Sequence, residues 1–212
     1  KVIVPRAGEY SLTLSDGTRI WLNSDSEIRY PVAFGKERRT VFLSGEAYFE
    51  VEKDAERPFY VVLDGMEVKV YGTSFNVNTH YQGKILTTLV EGKVGIRVKS
   101  TGAESILQPN QMAEFNCEKE EVEVTDVDTY YYTAWRAGEF VFQNETVEEI
   151  MDRLCRWYDT EVFYANDDVR GKRFTGIIAH FTDVADVLHL IGETATVQFD
   201  LKGDVITVSD LK

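Results

Sequence analysis

Through residue 127 the chain reads as short runs in which apolar and polar positions alternate, each run closed by a turn residue. Leu12 and Leu14 alternate ahead of Asp16-Gly17, and Ile20 and Leu22 alternate after it. Asp-Gly supplies the positive φ angles that tight primed turns need, so this segment predicts a β-hairpin. The same pattern recurs with Val41, Leu43, Ala47, Phe49 and Val51 around Gly45. It recurs with Val68 and Val70 before Gly72 and with Phe75 and Val77 after it. Val94, Ile96 and Val98 follow Glu91-Gly92, and Pro109-Asn110 makes a turn before Met112 to Phe115. Strands at this spacing, with no helical run between them, predict an all-β domain over residues 1–127: a sandwich, a roll or a solenoid-like stack. The pattern leaves the strand order open among these.

From Glu139 the periodicity changes. Glu139 to Gln143 alternates like a strand, and Thr146-Val147-Glu148-Glu149 is a capping box in which the Thr hydroxyl and the Glu carboxylate each satisfy a free backbone N–H. Val147, Ile150, Met151, Leu154 and Tyr158 then share one helical face. A strand is expected at Glu161 to Tyr164, and the cycle repeats after Lys172. A strand runs through Phe174 and Ile178, Thr182 or Asp183 caps a helix striped by Val184, Val187, Leu188 and Ile191, and Gly192 is placed to end it. Strands at Thr196 to Leu201 and Val205 to Val208 complete the pattern. An offset of 37 residues superposes the two apolar stripes. Residues 139–212 therefore read as a small α+β domain of two duplicated βαβ-type units. Between the halves, residues 128–138 hold Tyr130, Tyr131, Tyr132 and Trp135 where a flexible linker is Gly/Ser-rich, which predicts a packed aromatic connector.

Charge narrows the possible partners. The net charge is −13, with 16 basic and 21 acidic groups in residues 1–138 and 7 against 15 in residues 139–212. A surface that neutralises phosphates needs the opposite sign, so nucleic acid is not expected as a partner. No apolar run approaches the roughly 18 residues of a membrane span.

The chemistry-bearing residues form few constellations. His80, His180 and His189 have no second His or Cys ligand at metal spacing, no Gly-rich segment matches a phosphate loop, and no Ser sits in a nucleophile elbow. Neither a metal nor another cofactor is expected, and the chain does not read as an enzyme. Glu46 and Glu50 fall on one face of a strand and read as a solvated acidic sheet face, with an acidic-pair glycoside hydrolase as a rival. Lys36-Glu37-Arg38-Arg39 reads as a solvated turn. Trp21 with Tyr10, Tyr30 and Tyr48 reads as sheet packing, against the rival of a sugar-stacking platform in a carbohydrate-binding module. Cys117 and Cys155 are the only cysteines, and Cys155 falls at the edge of a helix's apolar face, where a small buried thiol is ordinary.

Several longer segments carry a resemblance. Leu14-Ser15-Asp16-Gly17-Thr18-Arg19-Ile20-Trp21-Leu22-Asn23 and Arg29-Tyr30-Pro31 resemble the opening of the periplasmic region of FecR-like anti-sigma factors. The likeness continues through Ser44-Gly45-Glu46-Ala47-Tyr48-Phe49-Glu50-Val51, Arg57-Pro58-Phe59, Gly72-Thr73-Ser74-Phe75-Asn76-Val77 and Thr88-Leu89-Val90-Glu91-Gly92-Lys93-Val94. Ala134-Trp135-Arg136-Ala137-Gly138, Phe140-Val141-Phe142 and Arg156-Trp157-Tyr158 are similar to the C-terminal domain common in Bacteroidetes-type members.

The resemblance implies the periplasmic part of a single-span inner-membrane regulator whose membrane helix and sigma-factor-binding cytoplasmic segment lie outside this chain. It implies as partners the N-terminal signalling domain of an outer-membrane TonB-dependent transporter, a cytoplasmic sigma factor and a periplasmic or membrane protease. The duplicated units resemble the short signalling domains of secretins and TonB-dependent transporters, whose sheet edges accept a further strand. On that reading Thr196, Gln198, Asp200, Val205, Ile206, Thr207 and Val208 form the partner-facing surface, and the acidic density of this half predicts a basic or mixed partner face.

Overall fold

The computed structural model describes residues 1–180 and 182–211; Phe181 and Lys212 of the expected 139–212 domain lie outside the described residues. The chain divides into two compact units that meet between Thr133 and Ala134.

In the first unit, hairpins are laid alternately into two seven-stranded sheets. β1 (Val2–Val4) enters the first sheet, and β2 (Tyr10–Thr13) and β3 (Arg19–Leu22) pair in the second. β4 (Ser26–Arg29) and β5 (Arg39–Ser44) return to the first sheet, and β6 (Glu46–Glu50) crosses alone to the second. β7 (Phe59–Val62) and β8 (Met66–Val70) lie in the first sheet, β9 (Ser74–Asn78) and β10 (Lys84–Glu91) in the second. β11 (Val94–Val98) and β12 (Glu104–Leu107) close the first sheet, β13 (Gln111–Asn116) and β14 (Glu121–Asp126) the second. Because β6 intervenes in the other sheet, β5 and β7 come to lie parallel, with Arg39 opposite Phe59. Both sheets feed one core. Phe49 of the second sheet stacks on Phe75 at 5.0 Å and meets Phe59 of the first at 6.3 Å. Each such ring, fully buried, contributes about 1.5–3 kcal/mol.

The expected hairpin at Asp16-Gly17 is present, with Leu12 opposite Ile20. Its turn is longer than a primed two-residue turn: the Leu14 N–H bonds the Thr18 carbonyl at 2.8 Å and only Gly17 takes a positive φ, 91°. That is the three-residue loop with glycine in the left-handed position. The other glycine turns are corrections of a different kind. Gly45, Gly72 and Gly92, like Pro109-Asn110, mark places where the chain crosses from one sheet to the other. Alternation looks the same on both sides of a crossing as of a hairpin, because both strands face the shared core. Gly45 shows what a crossing demands. Its φ is +102°, and a Cβ there would lie 2.6 Å from the Ser26 Cα, so only glycine fits.

In the second unit the local signals hold. The helical turn α1 (Tyr130–Thr133) ends the first unit, and the second opens on a 3-10 turn at Ala134–Ala137. Then come β15 (Glu139–Thr146), α2 (Val147–Tyr158) and β16 (Glu161–Tyr164), followed by β17 (Arg173–Ala179), α3 (Val184–Ala195), β18 (Val197–Lys202) and β19 (Val205–Asp210). The capping box forms: the Thr146 hydroxyl accepts from the Glu149 N–H, and the Glu149 carboxylate accepts from the Thr146 N–H at 2.8 Å. The caps extend the internal repeat. N-caps Thr146 and Asp183 are 37 residues apart, as are Asp159 and Thr196, the left-handed residues that end the two helices. β15 pairs antiparallel with β17, while β16 and β18 flank β19. Ile150, Leu154, Val187, Ile191 and Ile206 are fully buried in one cluster.

Gly192 does not end α3, which runs three residues further to Ala195. The glycine is there because the Val197 carbonyl lies 3.0 Å from the position a Cβ would take; it lets β18 fold back closely on the helix.

Candidate functional site

β18 is an edge strand, paired on one side only, with β19. Along it, α3 and β18 bound an apolar groove of about 500 Å³ lined by Leu188, Gly192, Phe199, Leu201 and Leu211. Its rim carries Glu193, Thr196, Gln198 and His189, which is exposed and 3.4 Å from Glu193. The close approach at Gly192 fixes the groove's floor. An unpaired strand edge beside an apolar trough offers main-chain hydrogen bonds and side-chain pockets together, which is what addition of a partner strand requires.

The structure divides the seven expected partner-facing residues. Ile206 and Val208 are fully buried core residues. Gln198, Asp200, Val205 and Thr207 share the other face of the three-stranded sheet, with Thr207 between Phe163 and Asp200 and Val205 between Glu161 and Lys202. Phe163 is 60% exposed on that face. Thr196 is the left-handed cap of α3 and precedes the strand. β19 also has no free edge, because β16 pairs with it in parallel and β18 antiparallel. The expectation that Val205–Val208 accepts a further strand is therefore corrected: its backbone is committed on both sides, and β18 offers the edge. Of the groove-lining residues, Leu188 and Leu201 read in the sequence as ordinary stripe and strand residues, and Leu211 carried no signal there.

The other clusters resolve into structure. Glu46 is buried and not on a solvated face: its carboxylate accepts from Asn23 Nδ2 at 2.8 Å and from Asn76 Nδ2 at 2.9 Å. Glu50 pairs instead with Arg19. Arg39 is no part of a solvated turn. It is the largest fully buried side chain, donating to Asp16 Oδ2 and to the Glu52 carbonyl at 2.8 Å each and to the Arg57 carbonyl at 2.9 Å. Trp21 sits edge-on to Tyr48, which is buried; Tyr10 is exposed beyond Leu22, and Tyr30 packs against the core, so the four aromatics do not form one platform. Cys117 is exposed and Cys155 is buried, and neither is in a disulfide.

His180 is buried in an aromatic cage, its ring centroid 3.9 Å from that of Phe140 and 4.3 Å from that of Trp157. Neither ring nitrogen has a hydrogen-bond partner among the described residues, while its carbonyl accepts from Trp157 Nε1 at 2.9 Å and from the Tyr158 hydroxyl at 3.1 Å. Burial, reinforced by the nearby Arg153 charge, pushes its pKa down to about 4. Burial raises Glu145 in spite of its ion pair with Arg153 at 3.0 Å. Both effects belong to the packing of the second unit: uncharged His180 serves as a flat apolar filler. Among the described residues no group of three or more His, Cys, Asp or Glu side chains is arranged to hold a metal ion, and no helix is long and apolar enough to cross a membrane.

Comparison with known proteins bears on both halves. The family model described as FecR protein matches residues 1–95, and the one described as FecR, C-terminal, matches residues 139–208. Two crystal structures of a candidate anti-sigma factor from Parabacteroides distasonis ATCC 8503 are similar over 100% of this chain at 27% identity. They give TM-scores of 0.90 and 0.89, with 99% and 98% of those chains covered. No curated protein matches the sequence. With both halves matched in order and the whole chain superposing on one such protein, the chain belongs to the FecR-like anti-sigma factor family.

Proposed function

We propose that this chain is the periplasmic sensing region of a single-span inner-membrane anti-sigma factor. It receives the N-terminal signalling domain of an outer-membrane TonB-dependent transporter on its second unit, and regulated proteolysis then frees a cytoplasmic sigma factor. Family membership supports the anti-sigma role. The observation that carries the docking step is the unpaired edge of β18 beside an apolar groove. The two β-α-β repeats resemble the short signalling domains of such transporters, so a strand of one can extend the sheet of the other. The excess of acidic groups after residue 139 calls for a partner face with basic residues and for binding that weakens with salt.

Leu211 is 61% exposed and lines the groove, so Leu211→Asp leaves the core intact. By calorimetry against the transporter's signalling domain, this substitution is expected to weaken binding roughly tenfold, about 1.4 kcal/mol. Phe163→Ser, on the open face of the same sheet, should leave the affinity unchanged. The reverse outcome, loss with Phe163→Ser and none with Leu211→Asp, would move the docking site to that face and overturn the edge-strand reading.

A further inference from the structure

The outer surface of the first sheet holds a trough of about 310 Å³ over Gly95, within the roughly 300–1,000 Å³ range of small-ligand sites. Across the sheet the residues run Tyr60, Lys69, Gly95 and Ile106 in register. Lys69 Nζ lies 5.8 Å from the Tyr60 ring centroid and 5.4 Å from that of Tyr71, which is 46% exposed. At the far end Glu67 and Glu104 flank Arg97, which is 3.9 Å from Glu67.

Gly95 is the anomaly. It lies inside β11, where glycine costs about 0.5–1 kcal/mol relative to alanine. Its φ is not in the left-handed region, and a Cβ would meet nothing closer than the Lys69 carbonyl oxygen at 3.6 Å, an ordinary contact. Neither backbone geometry nor packing within the protein demands it. A glycine in a strand interior that the fold does not need marks a place where something else approaches the sheet.

We propose that this trough binds an acidic sugar, a hexuronate unit of an oligosaccharide. The C–H face of a pyranose ring lies flat on the bare peptide surface at Gly95 and against the tyrosine rings, as such faces do on aromatic surfaces. Its carboxylate meets the Lys69 ammonium, and its hydroxyls donate to Glu67 and Glu104 at the other end. The Tyr71 hydroxyl beside it raises the Lys69 pKa and keeps it charged. Lys69 is held between two rings, and Lys93 and Arg97 line the same trough; the Lys69 cation is what selects an acidic sugar over a neutral one. The site lies wholly in the first unit, so its failure would leave the docking reading of the second unit untouched.

Digalacturonic acid, the matching neutral digalactoside and acetate serve as probes, read by calorimetry and by backbone amide shifts. The acid disaccharide is expected to saturate the protein at millimolar levels and to shift the amides of residues 67–71 and 93–97. Lys69→Gln should weaken it by roughly tenfold or more. Gly95→Val should abolish binding while the thermal midpoint stays equal or rises, since a β-branched residue suits a strand. Absence of saturable binding, equal binding of the neutral disaccharide, full competition by acetate alone, or binding undiminished in both variants would each overturn the proposal. Should Gly95→Val fail to fold, Lys69→Gln decides it.

Discussion

The two units bury polar groups in opposite ways. Residues 1–133 bury charge: Arg39 and Asp16, 0% and 5% exposed, form an ion pair inside the sheet stack, and Glu46 is held by two asparagine amides. The second unit keeps pairs such as Arg170–Glu148 and Lys172–Asp210 at the surface, buries the Arg153–Glu145 pair in part, and buries the titratable His180 without charge. The difference follows from how each unit is wired. A chain that crosses repeatedly between two sheets leaves turn carbonyls, such as those of Glu52 and Arg57, facing inward, and a guanidinium satisfies both at once. A helix-and-strand repeat closes its backbone bonds locally and needs only apolar filling. The first unit is thus brittle toward loss of a single partner, and the second is tunable through protonation and caps.

The largest expected effect tests the brittleness. Asp16→Ala leaves the Arg39 guanidinium buried and unpaired, which should destabilise the first unit by about 3–5 kcal/mol in denaturant unfolding. Asp16→Ala combined with Arg39→Met removes the uncompensated charge but leaves the Glu52 and Arg57 carbonyls unpaired, so it should recover only part of that loss; a double variant less stable than the single one would show that the carbonyl bonds, and not the ion pair, are the lock. Next comes acid sensitivity of the second unit. His180 has a folded pKa of about 4, below its ordinary value, so the unfolded state takes up the proton first. Stability should fall as pH drops from about 6.5 to about 4, by about 3 kcal/mol at the end of that window. His180→Phe should flatten this slope, measured by thermal unfolding across pH; an unchanged slope would assign it to other groups. Smallest is a gain: Thr196 is a β-branched residue at φ 56°, and Thr196→Gly should stabilise the second unit by about 1 kcal/mol.

The same contrast explains what could be read from the residues alone. Thr146 and Glu149 announce the start of α2 because the capping box acts within four residues. The stripe from Val147 to Leu154 announces its buried face because one helix turn repeats the next. Gly45 announces only a sharp turn: whether the strands on either side pair or part depends on Ser26, Asn23 and Asn76, remote in sequence. Arg39 looked solvated among Lys36 and Arg38 because its partners, Asp16 and the carbonyls of Glu52 and Arg57, are also distant. The end of α3 was misplaced because Gly192 serves the approach of Val197 rather than a cap. Of the groove beside β18, the sequence reading named Thr196 and Gln198 at the rim and none of the apolar residues that line it. The commitment of β19 on both sides was not legible, since its parallel partner β16 lies some 40 residues back along the chain.

That commitment has a consequence for how the second unit comes apart. β16 ends one repeat and β18 the next, and β19 bonds to both. The three-stranded sheet that the repeats share is complete only when residues 205–210 are seated between β16 and β18. With the direct β15–β17 pair, this gives the two repeats a second tie, so they are expected to melt together rather than one at a time.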